Sequence, residues 1–161
     1  MGKRPGFFET IRITRRVLRA RDVLMRVYDF ATSTPAQQVI DAIGGRWSRA
    51  APDGAPDFYV ASVIHEQQVI VVYGNSERPR IFAARIDFQS RDPAAGTLWF
   101  FDGEPYASGT EAAEVFRAEF AQLIAELSPG AELKEHEGEV VLATGEPDPD
   151  WRAHRGAHRK K

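Results

Sequence analysis

Residues 57–102 read DFYVASVIHEQQVIVVYGNSERPRIFAARIDFQSRDPAAGTLWFFD. Four short runs rich in β-branched and aromatic residues are separated by turn formers, the pattern of an antiparallel meander. Phe58–Ile64 is the first predicted strand, with His65-Glu66-Gln67 as its turn. Gln68–Tyr73 is apolar on both faces, as expected of a central strand covered on both sides. Gly74–Arg78 turns the chain into Ile81–Phe88, where Phe82, Ala84, Ile86 and Phe88 point one way and Arg85 and Asp87 the other. Ser90–Gly96 is expected to be a loop, Thr97–Asp102 the fourth strand and Gly103–Pro105 its end.

A helix over Thr110–Leu127 follows, with Ser108 as its N-cap and Glu111 three residues on. At about 100° per residue, Ala112, Ala113, Phe116, Phe120, Leu123, Ile124 and Leu127 fall within an arc of roughly 120°. Glu111, Glu114, Gln122 and Glu126 lie outside it, and Pro129-Gly130 stops the helix. Such a stripe needs a sheet beneath it.

Upstream, Val23–Phe30 alternates as a strand. Arg4–Ala20 fits a helix on the stripe Phe7, Phe8, Ile11, Val17 and Leu18, or a strand around Ile11-Arg12-Ile13-Thr14, with the helix preferred. A short helix starts near residue 35, with Thr34 as N-cap, Pro35 at the first position and Gln37 completing a capping box. Ala36, Val39, Ile40 and Ile43 form its apolar face, and Gly44-Gly45 is its expected end. Trp47–Pro56 reads as a loop holding the turn Pro52-Asp53-Gly54. After the long helix, Ala131–His136 and Glu139–Thr144 flank Glu137-Gly138 as a final hairpin.

Together these elements make an α+β fold: an antiparallel β-sheet of five to seven strands, one long C-terminal-half helix packed across one face, and the short helix near residue 35. The chain is expected to divide into a basic N-terminal segment (1–20), a single α+β domain (21–145) and a basic, flexible tail (146–161). The order of elements is similar to that of helix-grip ligand-binding folds, in which a long helix closes a curved sheet over a cavity. The hairpin after the helix departs from that pattern, and likeness of order implies no function. With a helix on one face, Tyr59, Ala61 and Val63, or Leu98 and Phe100, need cover on the other. The N-terminal segment is the favoured cover, ahead of a homodimer or partner surface.

The 161 residues suit one domain with short tails, and ten Phe within 43% apolar residues can fill a core. No Cys is present, which excludes disulfides and thiolate metal sites and makes the cytoplasm the expected location. The longest apolar run, Val69–Tyr73, is far too short to span a membrane, and the basic N-terminus lacks the apolar stretch of a secretory signal. The net charge of −2 hides a polarised layout: Met1–Arg26 carries +6, Val27–Asp150 carries −13 and Trp151–Lys161 carries +5.

Few residues suggest chemistry. His65 and His136 sit at predicted turns, where exposed histidines are ordinary. His65-Glu66 begins like H-E-x-x-H, but Val69 stands where the second histidine belongs. His154 and His158 flank Gly156 in a basic tail without a third ligand, so no metal and no cofactor is expected. No G-x-S-x-G elbow or phosphate-cradling glycine loop is present, and no catalytic residue is assigned. Asp87, with Asp102, is a candidate for a pocket mouth lined by Tyr59, Trp99 and Tyr106; the plainer reading pairs Asp87 with a neighbouring Arg on a solvated face.

The leading expectation is a non-enzymatic accessory protein that docks a protein partner, or a second copy, through its basic ends and sheet surface. The binding residues would be Arg12, Arg15, Arg16, Arg19, Trp151, Arg152, Arg155, Arg159, Lys160 and Lys161. A second reading is a small-molecule binder or enzyme with a cavity between the sheet and helix 110–127. A third is nucleic-acid binding by the Arg-rich ends, against which the −13 body counts because it repels the same phosphates.

Overall fold

The structure, a computed structural model, describes residues 26–101 and 109–136. The elements in chain order are β1 (Val27–Ala31), α1 (Ala36–Arg46), β2 (Asp57–Ile64), β3 (Gln68–Gly74), β4 (Phe82–Arg91), β5 (Ala94–Phe101), α2 (Gly109–Leu127) and β6 (Lys134–Glu135). The six strands form one antiparallel sheet in the order β2-β3-β4-β5-β1-β6. The fold is the expected α+β arrangement. The expected N-terminal segment (1–20), the tail (146–161), the strand start at Val23, the cap Ser108 and the second arm of the final hairpin lie outside the described residues.

Strand parity decides what each face carries. Phe82, Ala84, Ile86 and Phe88 of β4 face the helices, as their alternation predicts, and are buried with Phe58, Val60, Val69, Val71, Leu98 and Phe100. The helical stripe lands on them. The Phe116 ring of α2 lies 4.8 Å from that of Phe58 and 6.2 Å from that of Phe100, and Phe120 meets Phe30 edge-on at 5.4 Å. These rings fill the space between α2 and the sheet. Each buried aromatic of this kind contributes on the order of 1.5–3 kcal/mol before entropy. The α1 helix lies on the same face, against β4, β5 and α2.

Register corrects one expectation about cover. Leu98 and Phe100 pair with Ile86 and Ala84 and therefore belong to the helix face. In β2 a bulge between Val60 and Ser62 makes Ala61 the extra residue. Beyond it Val63 pairs with Val69 and returns to the helix side, leaving Tyr59 on the far face.

The corrections within single elements trace to contacts with other parts of the chain. The α1 N-cap is Pro35, with no side-chain cap, because the Thr34 hydroxyl turns to Thr32 Oγ1 at 3.4 Å instead. Thr32 in turn donates to the Ala94 carbonyl at 2.9 Å, and Ala94 N–H donates to Thr34 O, tying this loop to the β4–β5 turn. Gly44-Gly45 does not end α1: the helix continues to Arg46 and closes on Trp47, whose N–H donates to Ile43 O and whose buried ring lies 4.8 Å from Phe116. Packing of Trp47 outweighs the glycines' preference to stop.

The expected loop Ser90–Gly96 is mostly strand, with the turn reduced to Asp92-Pro93. A register shift between Phe88 and Ser90 brings the backbones so close that a Cβ at Gly96 would lie 1.9 Å from the Asp87 carbonyl oxygen. Gly96 is thus a strand glycine required by close backbone approach. At the far end of α2, Gly130 takes φ +88°, the left-handed conformation that ends helices. Ser128 Oγ accepts from Ser33 N–H at 2.9 Å, fastening that end to the β1–α1 loop.

Candidate functional site

The face of the sheet away from both helices carries most of the polar chemistry. Cross-strand pairing sets Ile70, Arg85, Trp99 and Val27 in one row and Gln68, Asp87, Thr97 and Asp29 in the next. Asp87 is 2% exposed and Trp99 3%. The Asp87 carboxylate accepts from Gln68 Nε2 at 2.9 Å, from Arg85 Nε at 3.1 Å and, on its other oxygen, from Trp99 Nε1 at 3.1 Å. The Arg85 guanidinium also lies over the Trp99 ring, 4.9 Å from its centroid.

Every group here satisfies another. A buried indole N–H needs an acceptor, a buried carboxylate needs donors on both oxygens, and a cation over an indole gains from the ring's negative face. With both Asp87 oxygens engaged and Arg85 pinned between carboxylate and ring, the cluster acts as a clamp across β3, β4 and β5. Asp87 therefore pairs with a neighbouring Arg, but on a closed face where a solvated one was expected.

Of the four residues expected to line a pocket, Asp87 and Trp99 come together. Tyr59 does not join them: it stands in the row Tyr59–Val72–Ala83–Phe101, and its hydroxyl donates to the Pro79 carbonyl. Tyr106 and Asp102 lie outside the described residues, as do the expected binding residues Arg12, Arg15, Arg16, Arg19, Trp151, Arg152, Arg155, Arg159, Lys160 and Lys161.

A second polar group closes the β1–β6 edge. His136 Nδ1 lies 2.7 and 2.8 Å from the two Asp29 oxygens, so Nδ1–H donates to the carboxylate. Arg26 pairs with Glu135 at 2.9 Å, and His136 N–H donates to Val27 O. These bonds hold a strand of only two residues, and His136 is half-buried where an exposed turn histidine was expected.

The third feature is a half-open cleft of about 290 Å³ between α1 and the β2–β3 turn. Its floor is apolar, from Ile40 and Val63, and its walls bring Gln37, Asp41, Gly44, Arg49, His65 and Glu66. Gln37 Nε2 donates to Asp41 Oδ1 at 2.9 Å. Glu66 Oε2 lies 3.9 Å from Arg91 and 4.0 Å from His65. Sequence reasoning placed His65 at this turn but did not assemble the cleft. Its residues come from three separate segments, and only the Val60/Ser62 bulge turns Val63 towards α1.

Among the described residues no group of three or more His, Asp or Glu is placed to hold a metal ion, and no helix is long and apolar enough to cross a membrane. Compared with known protein families, curated proteins and solved structures, the chain matches none.

Proposed function

We propose that this is a cytoplasmic, non-enzymatic interaction protein that docks a macromolecular partner through its basic ends and the exposed part of its sheet. The observation that carries the reading is the charge layout: +6 and +5 at the two ends against −13 between them. Side chains elsewhere support it. Asp87, Arg85 and Trp99 are consumed by one another, which leaves their face without a free acid, base or nucleophile in that cluster. The sheet surface open to a partner is then the end of β2, where Ile64 is 49% exposed.

The test is capture of the partner from the native host by the full chain, through graded salt washes. Deleting Trp151–Lys161 and neutralising Arg12, Arg15, Arg16 and Arg19 abolishes capture while the circular dichroism spectrum is unchanged. Capture that survives both changes overturns the proposal. A nucleic-acid partner declares itself by affinity falling with salt, at a slope of roughly −0.7 to −0.9 per phosphate neutralised. A small-molecule reading draws its support from the α1 cleft, since rings fill the space under α2.

A further inference from the structure

Three features set what the α1 cleft can hold. Arg49 is exposed and has no ion-pair or hydrogen-bond partner among the described residues, although it lines the cleft together with Asp41 and Glu66. Gly44 lies inside a helix, where glycine is the least favourable residue after proline. A Cβ there, as at Gly45, would meet nothing within 4 Å; Gly44 lines the cleft, so a side chain added at it would project into open space beside the other lining residues. Glu66 takes φ +50°, the left-handed position of the tight β2–β3 turn that Gln67 N–H closes on Ile64 O, and its carboxylate lines the cleft.

The lining specifies a ligand by its chemistry. An apolar floor of Ile40 and Val63 takes an aliphatic group. Arg49 offers the planar fork that binds a carboxylate through two parallel bonds. Asp41 has one oxygen engaged by Gln37, leaving the other to accept from an ammonium group, whereas Glu66 already has Arg91 and His65 beside it. A carboxylate alone would be repelled by the two acids, and an amine alone by Arg49. A molecule that carries both charges and an apolar side chain satisfies the apolar floor, Arg49 and Asp41 together, and the volume of about 290 Å³ holds one of amino-acid size.

We propose that the cleft between α1 and the β2–β3 turn binds a small zwitterion with an apolar side chain, in the class of the free aliphatic α-amino acids. The ion pairs are exposed and screened, so the affinity is modest and the complex exchanges rapidly.

The test is a titration of the full-length, ¹⁵N-labelled protein with L-leucine, followed by amide chemical shifts. Shifts are expected at Ile40, Asp41, Gly44, Arg49, Val63 and Glu66, saturating at or below about 10 mM. Three probes each remove one group: 4-methylpentanoate lacks the ammonium, isopentylamine lacks the carboxylate and glycine lacks the side chain. Each should bind at least about fivefold more weakly than leucine. Arg49→Ala should weaken leucine binding by a similar factor. Gly44→Leu, which fills the opening with a better helix former, should abolish it while the rest of the spectrum stays dispersed. No shift by about 10 mM leucine, shifts confined to other residues, equal binding of leucine and 4-methylpentanoate, or unchanged binding by Gly44→Leu would each overturn the proposal.

Discussion

The two faces of this sheet are built on different physics. The helix-covered face is a set of rings and aliphatic chains: Phe58, Phe82, Phe100 and Phe116 contact one another without a polar atom among their side chains. The opposite face is closed around a carboxylate, a guanidinium and an indole held by directional bonds. Burial on the first face is nondirectional and scales with area. On the second, each group must keep its partner, because an unpaired buried charge is strongly destabilising. Area burial is therefore concentrated under α2, whereas the far face fixes how β3, β4 and β5 align.

The largest expected effect tests the first half of that comparison. Phe116→Ala removes a fully buried ring at the centre of the aromatic cluster and should lower unfolding free energy by about 4 kcal/mol. Urea denaturation measures this, and a loss below about 1 kcal/mol would mean the ring is not central to the core.

The second face makes an asymmetric prediction. Asp87→Leu takes the carboxylate away from Arg85 and the Trp99 N–H and should destabilise by about 3 kcal/mol. The double change Asp87→Leu with Arg85→Met removes both charges and should recover most of that loss, to within about 1 kcal/mol of the parent. Equal destabilisation by the single and double changes would show that the cluster acts through volume and not through charge pairing.

The smallest effect concerns the rim of the aromatic face. Tyr73 stacks on Phe82, 5.3 Å between centroids. Burial, and secondly the carboxylate of Asp57, raise its hydroxyl above the ordinary pKa of 10.0. The unfolded chain therefore releases this proton more readily than the folded one. Its contribution to stability is complete below pH 10.0 and is lost as pH rises above that value towards the folded pKa. Melting temperatures from pH 9 to about 11.5 should fall less steeply for Tyr73→Phe than for the parent. Parallel curves would remove Tyr73 from the alkaline transition.

Much of the helix-covered face was legible in the residues. Alternation at Phe82, Ala84, Ile86 and Phe88 and the seven-residue stripe of α2 each report one buried side, since a side-chain period of two or of about 3.6 is visible in a single segment. The clamp was half legible. Arg85 and Asp87 share a face by spacing alone, but Trp99 joins them through a cross-strand register that no single strand encodes. His136 on Asp29 was less legible still, for the two residues are 107 positions apart.

The α+β class, the sheet's antiparallel character, the apolar stripe of α2 and the opposition of charged ends to an acidic body follow from the residues themselves. These depend on local periodicity, turn chemistry and composition, which neighbouring residues express without the rest of the chain. Tertiary structure alone decided that α1 runs through Gly44-Gly45, that Ser90–Gly96 is chiefly strand, and that Val63 turns inwards to floor a cleft with Ile40. In each case the deciding contact is long-range, and it outweighs a local preference of about 1 kcal/mol or less. Trp47 lies on Phe116, Gly96 on the Asp87 backbone and Val63 opposite Val69 beyond a bulge.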